Sequence, residues 1–292
     1  MQRTSAGPKP RVGLVSDGPG AFIRRLGAAA IPFAIWSGYL LAFAGHIAFR
    51  AAGDEVFPWR DLSVTETAFG GRSLSRALQA RFYGDGSFLL DRTATGLHLL
   101  WFAFPIVVGA TITVRRRHLL FEYLLWLTAC WYFADVAFMA LPAAPPWMAD
   151  SSVQRILFER GWIGDTVRDS NLVASLPSLH ATIPIAVALF LRVRVPEARW
   201  AALLSAGFGL AVGLAVVYLG EHWVVDVMAG WVLAAVVAWL FVSPRVRMVM
   251  HRVPGDPLRH LQDLDARIAA VWRGAPDRNP APAAPDELPR AA

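Results

Sequence analysis

One cysteine, Cys130, and one lysine, Lys9, occur in 292 residues. A lone thiol inside an apolar run excludes a disulfide framework and a cysteine-based metal site. Charge is scarce as well: Asp, Glu, Lys and Arg make up 17% of the chain, against about 25% in ordinary soluble domains. Apolar residues fill the gap, at 55% of the chain, with a mean hydropathy of +0.42. That balance excludes an ordinary soluble domain, and several apolar runs approach the ~20 residues that cross a bilayer. The chain reads as a polytopic membrane protein. Its 12 tryptophans fit that class, because indole rings favour the membrane–water interface. The net charge of +6 and the pI near 10.2 do not indicate a nucleic-acid partner. The arginines sit in short segments between apolar runs instead of forming a basic groove, which is a topology signal.

Six apolar runs stand out: Gly27–Phe49, Thr95–Val114, Leu119–Leu141, a run from Leu179 to the residue before Arg192, Ala201–Leu219 and His222–Val242. The first is too long for a signal-peptide core and lacks a convincing cleavage site, so it reads as a retained span. Six alternating spans place Arg24/Arg25, Arg115–Arg117, Arg192/Arg194/Arg199 and Arg245/Arg247/Arg252 on one side. The positive-inside rule makes that side cytoplasmic. The expectation is an all-α helical bundle in the plasma (inner) membrane, with six transmembrane helices and both termini cytoplasmic. Residues 1–22 form a polar tail, 23–252 the membrane domain, and 253–292 a second tail. That tail holds a short amphipathic stretch (Leu258–Trp272) before a Pro/Ala-rich end. In the loop 50–94, Leu74, Ala77, Leu78 and Phe82 recur at helical spacing with Arg72, Arg76 and Arg81 mostly off that face. This predicts an amphipathic helix, lying on the outer interface or packed over the bundle.

Chemistry-bearing residues gather at the outer ends of the spans. Residues 174–182 read "ASLPSLHAT", where a polar loop meets the fourth run, and 218–230 read "YLGEHWVVDVMAG". His222 and Asp226 are four apart, so on a helix they share a face. A carboxylate on one imidazole nitrogen fixes the tautomer and activates the other nitrogen. The alternating topology brings His180 to the same depth as His222, together with the hydroxyls of Ser175 and Ser178. Such a set suits in-line attack on phosphorus, with one imidazole attacking and the other protonating the leaving oxygen. A lone histidine near a helix end is commonly an interfacial anchor, but an Asp one turn inside an apolar helix needs a partner to offset its desolvation.

These motifs, Pro177-Ser178-Leu179-His180 and His222-Trp223-Val224-Val225-Asp226, resemble the type-2 phosphatidic acid phosphatase superfamily. The resemblance is closest to the branch containing inositol phosphorylceramide synthases and their bacterial relatives. "LPAAPPW" (141–147) and "FGGRSLSRALQ" (69–79) also resemble that branch, and the likeness covers about residues 25–245. It implies that His222 is the nucleophile forming a phosphohistidine, Asp226 its orienting partner and His180 the general acid. Ser178 would contact the phosphoryl group, and no metal or other cofactor would be required. The substrate would be a phospholipid or a polyprenyl phosphate, met at the extracytoplasmic face.

The chain also departs from the pattern. The lipid-phosphatase branches carry Ser-Arg shortly before the nucleophilic histidine, where this chain has Ala215 and Val216, and the early Lys…Arg-Pro motif has no counterpart. A phosphate still needs a cation in a low-dielectric site. Arg168 is the first candidate, with Arg72 and Arg92 behind it. His98 is expected to line the site, and Asp135 to face the bundle and pair there. Two readings of other classes stay open: a proton-relaying transporter, and a metal site on His180, His222 and Asp226 with Glu221. The first predicts polar residues spread through the bundle depth, and the second lacks an H-E-x-x-H pair.

Overall fold

The computed structural model describes residues 19–53, 59–69, 73–84, 86–159, 172–244 and 263, with side chains for all but 19–29, 51–53 and 67–69. Arg72, Arg168, most of both tails and the last basic cluster lie outside the described residues. Among the described residues the chain is helical, with only two isolated bridges, Arg60–Ala143 and Ala143–Ala174. The long helices are α1 (Pro19–Gly53), α3 (Phe88–Arg115), α4 (Leu120–Ala140), α7 (Leu179–Arg194), α8 (Arg199–Tyr218) and α9 (Val224–Val242). Shorter pieces lie between them: α2 (Leu74–Phe82), α5 (Pro146–Ala149) and α6 (Ile156–Glu159).

Five of these helices, all the long ones except α7, are long and apolar enough to cross a membrane. Their outward faces carry Leu41, Leu89, Val114, Leu204 and Val232, all largely exposed. A lipid-facing helix wants that pattern, because hydrocarbon offers no penalty to an apolar side chain. With 16 residues, α7 spans about 24 Å, short of the ~30 Å hydrocarbon thickness. It sits inside the bundle, against α8, α9, α4 and α3, with Ile183, Ala186 and Val187 fully buried. Small residues let these helices approach: a Cβ on Gly209 of α8 would meet Ile185 Cδ1 at 2.9 Å, and one on Gly213 would meet Val227 at 3.0 Å.

Ion pairs show which helix ends lie together. Arg116 at the end of α3 pairs with Glu197 before α8, and Arg194 at the end of α7 pairs with Glu122 at the start of α4. This basic end is opposite the end that carries His180. On the His180 side, His46 Nδ1 of α1 lies 2.8 Å from Asp135 Oδ1 of α4, both buried. Asp135 therefore pairs inside the bundle as expected, and the partner is a histidine from the first span.

Three local expectations are revised. Helix α3 begins at Phe88, well before Thr95, because the buried Asp91 is satisfied: Ser87 Oγ donates to it at 2.8 Å and Tyr218 Oη at 2.5 Å. Helix α1 already begins at Pro19, inside the segment read as a polar tail. Helix α2 forms, but Ala77 and Phe82 are exposed, and Ser75 and Gln79 point inward instead. It packs over the end of α8.

Candidate active site

Two loops, each leading into a helix, build the site. The first runs through Ser175 to Ser178, which caps α7; Ser178 Oγ accepts from Ala181 N at 3.4 Å. His180 follows in the first turn. The second is the turn between α8 and α9, where Gly220 adopts φ +81°. A side chain is excluded there twice, by the left-handed backbone and because a Cβ would lie 2.7 Å from Gln154 O. His222 then lies just ahead of Trp223, the residue capping α9, and is not on the helix. The shared helical face expected for His222 and Asp226 is thus replaced by a loop-to-helix contact. Asp226 sits in the first turn of α9, and its Oδ2 accepts from Trp223 N at 2.9 Å.

The side chains form a continuous line. His180 Nδ1 lies 3.2 Å from His222 Nε2, and His222 Nδ1 lies 3.4 Å from Asp226 Oδ2. Ser175 Oγ donates to the same carboxylate oxygen and lies 3.4 Å from His222 Nδ1. Asp226 is fully buried, and His222 is 6% exposed. Contacts at 3.4 Å are long for hydrogen bonds, as is common before substrate tightens a site. With a proton on Nδ1 directed at Asp226, Nε2 would keep its lone pair. His180 packs against two tilted rings, His98 at 4.5 Å and Trp101 at 4.6 Å between centroids. Among the described residues, its Nε2 has no hydrogen-bond partner.

The two serines both have partners within the protein. Ser175 belongs to the carboxylate, and Ser178 is fully buried as a helix cap whose N–H donates to Asp226 O at 2.9 Å. His98 lies beside His180, its ring tilted by 32° with centroids 4.5 Å apart. Of the three arginine candidates, only Arg92 is described; it is exposed and lies over the Phe88 ring at 5.2 Å. Two other arginines reach this layer. Arg50, at the end of α1, lies over the Phe138 ring at 5.5 Å. Arg155 grips Glu221, the neighbour of His222, through Nε at 2.9 Å and a second bond at 3.2 Å. Its guanidinium lies over the rings of Trp147, at 4.4 Å, and Phe158, at 4.0 Å.

Supporting residues hold the frame. The segment Leu141–Trp147 is a platform: Ala143 O accepts from Ser175 N at 3.3 Å, and Ala144 O accepts from Trp223 Nε1 at 2.7 Å. Glu66, buried, accepts from Leu74 N and Val224 N, each at 2.7 Å, so one carboxylate caps both α2 and α9. Gln79 donates to Gln154 O and Tyr218 O and accepts from Gln154 N, which clamps the turn carrying His222. Glu66 and Gln79 escaped the sequence reading because their partners are backbone groups, which any sequence supplies. Among the described residues no group of three His, Cys, Asp or Glu gathers as metal ligands. The nitrogens of His180 and His222 face each other, not a common point.

A bundle of membrane-length helices with a histidine–histidine–carboxylate line at the mouths of two of them has the layout of a membrane-embedded phosphatase-type enzyme. The family model described as PAP2 superfamily matches residues 71–240, and the chain belongs to that superfamily. Membership makes it a phosphatase or phosphotransferase of lipid-type substrates. The match covers Ser175, His180, His222 and Asp226; α1, with His46 and Arg50, lies outside it. No curated protein and no solved structure matches the chain.

Proposed function

We propose that the protein cleaves or transfers a lipid-linked phosphate at the outer membrane face, through a phosphohistidine on His222. The line His180 Nδ1, His222 Nε2, His222 Nδ1, Asp226 Oδ2 carries this reading. A phosphoryl group would enter in place of the His180–His222 hydrogen bond, between the two rings. His222 Nε2 then attacks phosphorus, the bond from phosphorus to the leaving oxygen breaks, and protonated His180 gives its proton to that oxygen. Asp226 stabilises the positive charge that develops on His222. In the second half, water or an alcohol attacks phosphorus as His180 takes its proton and the P–N bond breaks.

His180 sits in the first turn of α7, where the helix dipole favours an anion. Arg50 and Arg155 are the cations assigned to the phosphate layer. The arginine clusters at the opposite end support an outer location for the site. Transfer of a phosphorylated head group, which the resemblance to inositol phosphorylceramide synthases implies, uses the same intermediate with an alcohol replacing water.

The test is turnover by purified protein in detergent with EDTA present. Phosphatidic acid, polyprenyl phosphates and pyrophosphates, and phosphatidylinositol are each supplied with and without an alcohol acceptor. Turnover lost in His222→Ala is the expected result, and the products distinguish hydrolysis from transfer. Equal turnover in the variant would remove His222 as nucleophile.

A further inference from the structure

The basic end of the bundle carries a groove that the histidine chemistry does not use. It encloses about 650 Å³ between the second half of α3, the end of α7 and the start of α8. Phe104 and Phe208, their ring centroids 4.8 Å apart, close its deep end. Ile112 and Leu191, both buried, line its wall. The hydroxyls of Thr111 and Ser205 are turned back onto Val107 O and Ala201 O of their own helices. The wall therefore offers a ligand apolar surface.

The mouth differs from the wall. Arg115 and Arg116 stand there with Glu197. Arg116 and Glu197 pair with each other, and among the described residues Arg115 has no acidic partner. One net positive charge remains at the rim. From Phe104 to Arg115, α3 rises roughly 16 Å at about 1.5 Å per residue, which is about half the ~30 Å hydrocarbon core. The groove thus has the depth of one leaflet, with its charge at the headgroup level.

We propose that this groove binds one anionic phospholipid of the leaflet at the basic end, with an acyl chain reaching Phe104 and Phe208 and the phosphate at Arg115. The site is independent of the histidine chemistry and holds in either orientation of the bundle.

Native mass spectrometry of the full chain in detergent tests it, with phosphatidylglycerol and phosphatidylcholine of identical chains as probes. The expected result is one tightly bound phosphatidylglycerol per chain. Arg115→Gln should weaken its preference over phosphatidylcholine about fivefold, the scale of one juxtamembrane arginine. Ala201→Phe, which fills the groove, should abolish binding of both lipids while the helical circular dichroism persists. Equal binding of the two lipids by the unsubstituted protein, or binding unchanged by Ala201→Phe, would overturn the assignment.

Discussion

Gly230 of α9 packs on Ser178 of α7 so closely that a Cβ there would lie 2.4 Å from the Ser178 carbonyl oxygen and 2.9 Å from Thr182 Oγ1. Ser178 N also donates to Asp226 O at 2.9 Å. The two helix starts that carry His180 and Asp226 are thus joined backbone to backbone. The hydrogen-bonded line between the histidines depends on that approach.

Gly230→Ala should separate the two helix starts, since the clashing atom is backbone and has no rotamer to escape into. A destabilisation of about 1–3 kcal/mol is expected from such overpacking, with turnover falling about 10²-fold because reacting groups move by near an ångström. Thermal unfolding in detergent and turnover measure the two effects. A fully active, equally stable variant would show that the α7–α9 contact does not position the site.

Asp226→Asn keeps the shape and removes the charge. It should lower kcat about 10³–10⁴-fold, as expected when a histidine loses the carboxylate that sets its tautomer. Ser175→Ala removes one of the donors on the same oxygen and should lower kcat only about tenfold. If the serine variant fell as far as the aspartate one, Ser175 would touch the substrate instead of the carboxylate.

Glu66→Gln replaces one of the two acceptor oxygens, each held by a helix-start N–H, with an amide that donates. About 1.5–3 kcal/mol of stability should be lost, the scale of a charge-assisted hydrogen bond, together with part of kcat. An unchanged midpoint of unfolding would contradict a double-capping role.

Arg50 and Arg155 should separate kinetically. Arg50→Gln should raise KM at least about tenfold by removing a charged contact to phosphate. Arg155→Gln also releases Glu221 beside His222, so it should lower kcat as well. An unchanged KM in Arg50→Gln would leave the phosphate to another cation.

Much of this architecture is legible in the chain because length and hydropathy carry it. The third run became a helix with little change, Leu120–Ala140 against the expected Leu119–Leu141. Asp91 was less legible. Its buried charge is offset by Ser87 and by Tyr218, which is distant in sequence, so a hydropathy window places the helix start too late. His180 and His222 stand out because histidines at the mouths of apolar runs are rare. The partners of the serines beside them were not legible: Ser178 caps a helix and Ser175 donates to the Asp226 carboxylate, and hydroxyl chemistry is the same for either task or for holding a phosphoryl group. His46 gave no sign of its role, since only the folded bundle puts it on Asp135.

The central claim is that His222 becomes phosphorylated. The most direct measurement uses the unsubstituted protein, because His180 serves both halves of the reaction and its removal would slow formation of the intermediate as well as its discharge. The protein is mixed with a lipid phosphate that it turns over, quenched within one turnover at alkaline pH and mapped by mass spectrometry. A phosphoryl group on the peptide carrying His222, absent from His222→Ala, is the predicted result. Turnover by the unsubstituted protein with no phosphorylated histidine at any time, or a phosphoryl group on another residue, would contradict the account.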